Sequence, residues 1–199
     1  MIKQVLLIFY SLALSLGSCN TFNSKECVIY FGGQISNPKS NFVTLKKGDN
    51  VIDTLFLNQD NKFLGAMQKL EDGLYSFTHG NELQYIFLEN KDSIIINLNT
   101  KDFDESLTFA GKGAEKNEYL INFFLENENE RRNFRENYEL PADVFKKLIF
   151  DLKQKKENEF LAFKENQNNI SVRFQELVQS SINYSLFKKM EYYPIAHKK

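Results

Sequence analysis

Residues 106–124 read Ser106-Leu107-Thr108-Phe109-Ala110-Gly111-Lys112-Gly113-Ala114-Glu115-Lys116-Asn117-Glu118-Tyr119-Leu120-Ile121-Asn122-Phe123-Phe124, and the spacing of the apolar residues changes inside this stretch. As far as Phe109 the chain follows the short period of extended structure. Beyond Gly111-Lys112-Gly113, Leu120, Phe123 and Phe124 recur at helical spacing, with acids and asparagine elsewhere. The glycine pair marks a junction between two kinds of structure; its spacing is not that of a phosphate-cradling loop.

Upstream of the junction, apolar and β-branched runs recur at Cys27–Phe31, Phe42–Leu45, Val51–Leu57, Phe63–Met67, Leu74–Thr78, Leu83–Leu88, Ser93–Leu98 and Ser106–Phe109. Turn-forming residues separate them, among them Gly32-Gly33, Asn37-Pro38, Gly48-Asp49-Asn50, Asp72-Gly73 and His79-Gly80-Asn81. Short strands at this spacing predict an all-β sandwich or barrel of about eight strands over residues 27–113. Downstream, residues 114–199 read as three helices. Ala114–Arg132 is the first. The second starts at Pro141-Ala142-Asp143 and carries Phe145, Leu148, Ile149, Leu152, Phe160 and Phe163 as an apolar stripe. Ser171 is placed to cap the third, which shows Phe174, Leu177, Val178, Ile182 and Leu186, and Pro194 ends or kinks it. Strands followed by helices predict an α+β fold and argue against βαβ repeats.

The extreme N-terminus carries a different signal. Lys3 precedes an apolar run from Val5 to Leu16, followed by Gly17-Ser18-Cys19. The run is about a dozen residues, within the ~7–15 of a secretory signal core and short of the ~20 that span a bilayer. Small residues before a cysteine have the form of a bacterial lipobox. Residues 1–18 are then a lipoprotein signal peptide, Cys19 is the lipidated residue, and 19–26 form a polar tether. Asn20 follows the cysteine in place of aspartate, which points to a lipid-anchored protein of the cell envelope, in the outer membrane and facing the periplasm. The mature chain would hold 24 Lys and Arg against 26 Asp and Glu. That balance gives no electrostatic basis for binding nucleic acid. With Cys19 acylated, Cys27 is the only thiol left, and at the head of an apolar run it reads as a buried hydrophobe.

Residues able to do chemistry are sparse. His79 falls in a turn and His197 near the C-terminus. With no Cys-x-x-Cys and no close histidine pair, no metal site, cofactor site or catalytic set is assigned. The acids at Asp102-Asp104-Glu105 and Glu126-Glu128-Glu130 read as solvated, and Arg131-Arg132-Arg135 and Lys153-Lys155-Lys156 as wet helix faces. Asp53-Thr54-Leu55 and Asp92-Ser93-Ile94 have the Asp-Ser/Thr-apolar form of O-glycosylation acceptors in Bacteroidetes, with Thr54 and Ser93 as the acceptor residues.

Asp53-Thr54, Leu83-Gln84-Tyr85-Ile86-Phe87-Leu88-Glu89-Asn90-Lys91-Asp92-Ser93-Ile94, Phe103-Asp104-Glu105-Ser106-Leu107 and Phe109-Ala110-Gly111-Lys112-Gly113-Ala114-Glu115-Lys116-Asn117 carry a resemblance. Together they resemble the N-terminal β domain of Bacteroidetes lipoproteins related to the TlpA and ResA thiol-disulfide reductases. The helical run up to Tyr192-Tyr193-Pro194 is similar to the linker that joins this domain to a thioredoxin fold. The resemblance implies a membrane-tethered module serving as spacer, dimerisation or partner-binding part. The family's Trp-Cys-x-x-Cys site does not occur in this sequence, so no catalytic residue carries over, and thiol-disulfide oxidoreductase activity would belong to a C-terminal thioredoxin domain. Two alternatives are the N-terminal fragment of such a reductase, and a surface lipoprotein that binds a glycan or a protein. The partners expected are the membrane through the lipid and a protein or a second copy of the chain. Phe outnumbers Tyr 19 to 9 and Trp is absent, which suits core packing better than sugar stacking.

Overall fold

The computed structural model describes residues 28–167 and 169–197, so Cys19, the tether and Cys27 lie outside the described residues. Among the described residues eight strands form: β1 (Val28–Ser36), β2 (Phe42–Lys47), β3 (Asn50–Phe56), β4 (Lys62–Gln68), β5 (Gly73–His79), β6 (Glu82–Leu88), β7 (Ser93–Asn99) and β8 (Thr108–Lys112). They make two four-stranded sheets, ordered β4-β1-β7-β8 and β3-β2-β5-β6. The architecture is a sandwich, because one continuous core takes side chains from both sheets: Ile29, Phe31 and Ile96 from the first, Val43, Leu45 and Phe77 from the second. Phe31 lies across the layer, with its ring 5.4 Å from Phe63 in its own sheet and 5.6 Å from Phe77 in the other.

Gly32-Gly33 is not a turn. Both residues lie inside β1, which pairs antiparallel with β4 and parallel with β7. A Cβ on Gly32 would come within 2.7 Å of the Phe63 carbonyl oxygen, and one on Gly33 within 2.4 Å of that of Ile96. The glycines are there because the flanking strands approach closely, a use of strand glycine that sequence cannot separate from a turn. Ser106 is likewise not in a strand. It belongs to a one-turn helix α1 (Phe103–Ser106) that drops Phe103 into the core before β8 begins at Thr108.

His79 is the last residue of β5 and is 1% exposed. Its Nε2 accepts the Lys39 backbone N–H at 2.9 Å, while Nδ1 lies 3.0 Å from the Phe42 carbonyl oxygen. A ring that accepts at one nitrogen and donates at the other is neutral, and it ties the 37–42 connection onto the sheet. Burial holds its pKa below the usual 6.5, against the opposing pull of the Phe42 carbonyl.

After Gly113 come α2 (Ala114–Asn133), a 3-10 turn (Arg135–Glu139), α3 (Ala142–Glu165) and α4 (Val172–Ala196). Ser171 caps α4, its Oγ accepting the Phe174 N–H at 3.1 Å. Pro194 does not end that helix at its own position. It sits in the last turn, where it leaves the Met190 carbonyl without its i+4 N–H, and the helix stops two residues later. The helices share a second core of Phe134, Phe145, Ile149, Phe160, Phe174, Val178, Ile182 and Leu186. Phe87, from the outer face of β6, is part of that core, with its ring 5.0 Å from Phe174.

The two layers are joined through the first turn of α2. Its Asn117 side chain accepts the Phe87 N–H at 2.7 Å and donates to the Phe87 carbonyl at 2.9 Å, in the manner of a neighbouring strand. One residue on, Glu118 Oε1 accepts the Phe109 N–H of β8 at 2.9 Å. As β6 and β8 are the edge strands of the two sheets, α2 covers one open edge of each. Lys116 pairs with Glu89 and, at 3.2 Å, with Asp92. Gly113 has φ 94, and a Cβ there would stand 2.6 Å from the Asp92 carboxyl carbon.

Asn117→Ala should therefore cost about 3 kcal/mol, because two buried backbone groups lose partners at ~1–3 kcal/mol each. Urea unfolding measures the loss, and the Phe87 amide should exchange faster. A stability equal to wild type would refute the edge-pairing role. The neutral His79 should give a stability that is full above about pH 6.5 and declines as pH falls through its depressed native pKa. Melting temperatures of His79→Asn should show a flatter acid limb than wild type; parallel limbs would rule the latch out.

Candidate functional site

Further along α2 from the junction, a half-open groove runs between α2, the 3-10 turn, α4 and the outer face of the second sheet. It encloses about 1890 Å³. Leu74 and Tyr85 reach it from β5 and β6, because odd-numbered positions of β6 point away from the sandwich core while Ile86 and Leu88 point in. The helices contribute Phe124, Tyr184 and Tyr192, all exposed. These aromatics make one face of mixed character, with apolar rings and phenolic hydroxyls.

Below the groove, charged residues occupy positions that the helical period reserves for hydrophobes. On α3 the inward positions are Phe145, Ile149, Lys156 and Phe160; on α4 they include Val178, Ile182, Leu186 and Lys189. Lys156 is 2% and Lys189 7% exposed. Both face Glu130 of α2, whose carboxylate oxygens are buried. Lys156 Nζ is 3.0 Å from Oε2 and Lys189 Nζ 3.6 Å from Oε1, neither with hydrogen-bond geometry. Lys156 also donates to Asn127 Oδ1 at 3.0 Å and lies over the Phe123 ring, and Lys189 lies over Phe134. Burial lowers the pKa of Lys189, and the Lys156 charge adds to that, against the pull of Glu130.

Two readings made from sequence are corrected here. Lys156 is not on a wet face, and Glu130 is not in a solvated acidic run. Each lies on the inner stripe of its helix, a position the spacing from Phe145 to Phe160 and from Tyr119 to Phe134 would have marked. The neighbours do sit in solvent: Lys155 pairs with Glu126 at 2.7 Å and Arg131 with Glu128 at 2.7 Å. Lys155 holds the Glu126 carboxyl below its ordinary range. Asp104 is also drawn inward, accepting from Gln84 at 2.9 Å, and burial raises its pKa.

The two histidines are held separately. His79 serves the loop described above, and His197 stacks on Tyr193 with Nδ1 2.9 Å from the Tyr138 carbonyl oxygen. Among the described residues no group of His, Cys, Asp or Glu is placed to hold a metal ion, and no helix is long and apolar enough to cross a membrane. Thr54 is exposed on β3, an edge strand. Ser93 is half-buried at the start of β7, between β1 and β8, and Asp92 before it is 3% exposed and engaged by Lys116.

Lys156→Met should destabilise the fold by about 3 kcal/mol, the scale for a buried carboxylate stripped of its close cation. Lys189→Met leaves the closer pair intact and removes a buried charge in excess, so it should melt at or above the wild-type temperature. A larger loss for Lys189→Met than for Lys156→Met would reverse this ranking.

No family model, curated protein or solved structure matches the chain, so the groove is read from its own residues.

Proposed function

We propose that the chain is a lipid-tethered, non-catalytic module of a bacterial cell envelope, which holds a partner-binding groove at a distance from the membrane. The observation that carries this reading is the groove itself. At about 1890 Å³ and half open, it exceeds the ~300–1,000 Å³ of sites that enclose a small molecule, and exposed tyrosines on a rigid support are the residue type that anchors protein partners. The rigidity comes from the α2 junction, which fixes the helical wall against the sandwich wall. The tether is supported by the sequence from Lys3 to Cys19.

A second reading, the front part of a TlpA-like thiol-disulfide reductase, is favoured by one specific feature. Glu89, Asp92, Gly113, Lys116 and Asn117, which make the junction, all fall within the segments that carry the family resemblance. In that case the groove would belong to the scaffold of a longer protein and the redox chemistry to another domain.

Mass spectrometry of the membrane-extracted protein should find a chain beginning at diacylated Cys19, and Cys19→Ala should leave the leader attached. A bare thiol at residue 19 would overturn the tether. If glycan is present, it should sit on Thr54, whose hydroxyl is open to an enzyme, and be lost in Thr54→Ala. Glycan on Ser93 alone would contradict the accessibility argument.

A further inference from the structure

We propose that the groove takes an acidic, amphipathic peptide segment of a partner protein, with apolar side chains laid against Tyr85, Phe124, Tyr184 and Tyr192 and a carboxylate reaching Lys189. This rests on reading the chain as a partner-binding module and names the chemistry of the partner. The first support is local charge. The chain as a whole is near balance, with 25 basic and 26 acidic residues. The groove is not: Arg131, Arg135, Lys188 and Lys189 line it against Glu128 and Glu139. Glu128 is already paired with Arg131 and Lys188 with Glu191. Arg135 and Lys189 then stand against Glu139 alone, which leaves the lining with one positive charge in excess.

The second support is the state of Lys189. It lines the groove yet is more than nine-tenths buried. The carboxylate nearest to it is shared with Lys156, which stands closer, and a separation of 3.6 Å is too long for a hydrogen bond. Two ammonium groups against one carboxylate leave one positive charge uncompensated in a poorly hydrated place. An arriving carboxylate would complete it with a charge-assisted hydrogen bond, and such bonds are strongest where water is excluded. The third support is shape. The walls are helices and a sheet face rather than an exposed strand edge. An occupant that brings its own backbone hydrogen bonds, a helix with anchors at i, i+3, i+4 and i+7, fits them.

The test uses the full lipidated mature chain in detergent and a fluorescein-labelled peptide of roughly five turns. Leu and Phe occupy its helical stripe and Glu the other positions; the control carries Lys in place of Glu. Fluorescence anisotropy should show saturable binding of the acidic peptide at least tenfold tighter than the basic one. Lys189→Met, or Arg135→Gln as a variant on an exposed site, should weaken the acidic peptide about tenfold and leave the basic one unchanged. Tyr192→Ala should weaken both. Equal binding of the two peptides, or no binding, overturns the proposed chemistry. So does displacement by oleate at the same concentration, which would assign the groove to a lipid, or a dimer in sedimentation that Tyr192→Ala dissociates, which would assign it to a second copy. A photo-crosslinking residue placed at Tyr85 in cells separates the two levels. Adducts with a protein that has no acidic segment would remove only the chemistry, whereas no adduct at all would remove the partner-binding reading.

Discussion

A β-sandwich with open ends has four edge strands, and the structure depends on how two of them are closed. In β6 and β8 the outward backbone groups have no strand to meet. Asn117 and Glu118, adjacent on the first turn of one helix, meet them instead. A carboxamide carries an acceptor and a donor side by side, so Asn117 can meet both the N–H and the C=O of one residue and reproduce a strand pair at Phe87. The pairing fixes the rotation of α2 about its axis as well as its position. Everything the helices then do, from the covering of Phe87 to the opening of the groove, follows from that orientation.

The neighbouring ion pairs support the same joint. Lys116 reaches back to the Glu89–Asp92 turn, and the Asp92 carbonyl accepts the Tyr30 N–H at 2.9 Å. One short segment therefore connects β1, β6, β7 and the helical layer. Gly113 has no side chain because the Asp92 carboxylate occupies that space. Such a joint is stiff, and it holds the two layers as opposite walls of one groove.

The Glu130–Lys156–Lys189 cluster stands in contrast. Apolar residues at those positions would pack the helices with less desolvation cost, since a buried pair often gives no net stability and an extra buried cation is a penalty. Part of that cost is offset by Asn127 and by the rings of Phe123 and Phe134. The residual charge faces the groove, and a ligand that brings a carboxylate would remove it.

The order of strands and helices, the junction at Gly113 and the cap at Ser171 were legible because each depends on local periodicity and local backbone chemistry. The expectation of a leader ending at Cys19 rests on a short linear segment that lies outside the described residues. Gly32-Gly33 was misread because a glycine forced by neighbouring strands looks the same as one forced by a turn. His79 was read as a turn residue, and Lys156 and Glu130 as solvated, because the partners that bury them are not their neighbours along the chain. Those partners stand 40 residues away for His79 and 26 for Lys156. The sequence by itself determined which segments extend and which coil, since these rest on neighbours along the chain. Only the tertiary structure decided that an amide on a helix would close the edge of a sheet, that three charges would meet between helices and that a groove would open above them. Each of these needs groups from distant segments brought within about 4 Å, where hydrogen bonds and ion pairs act.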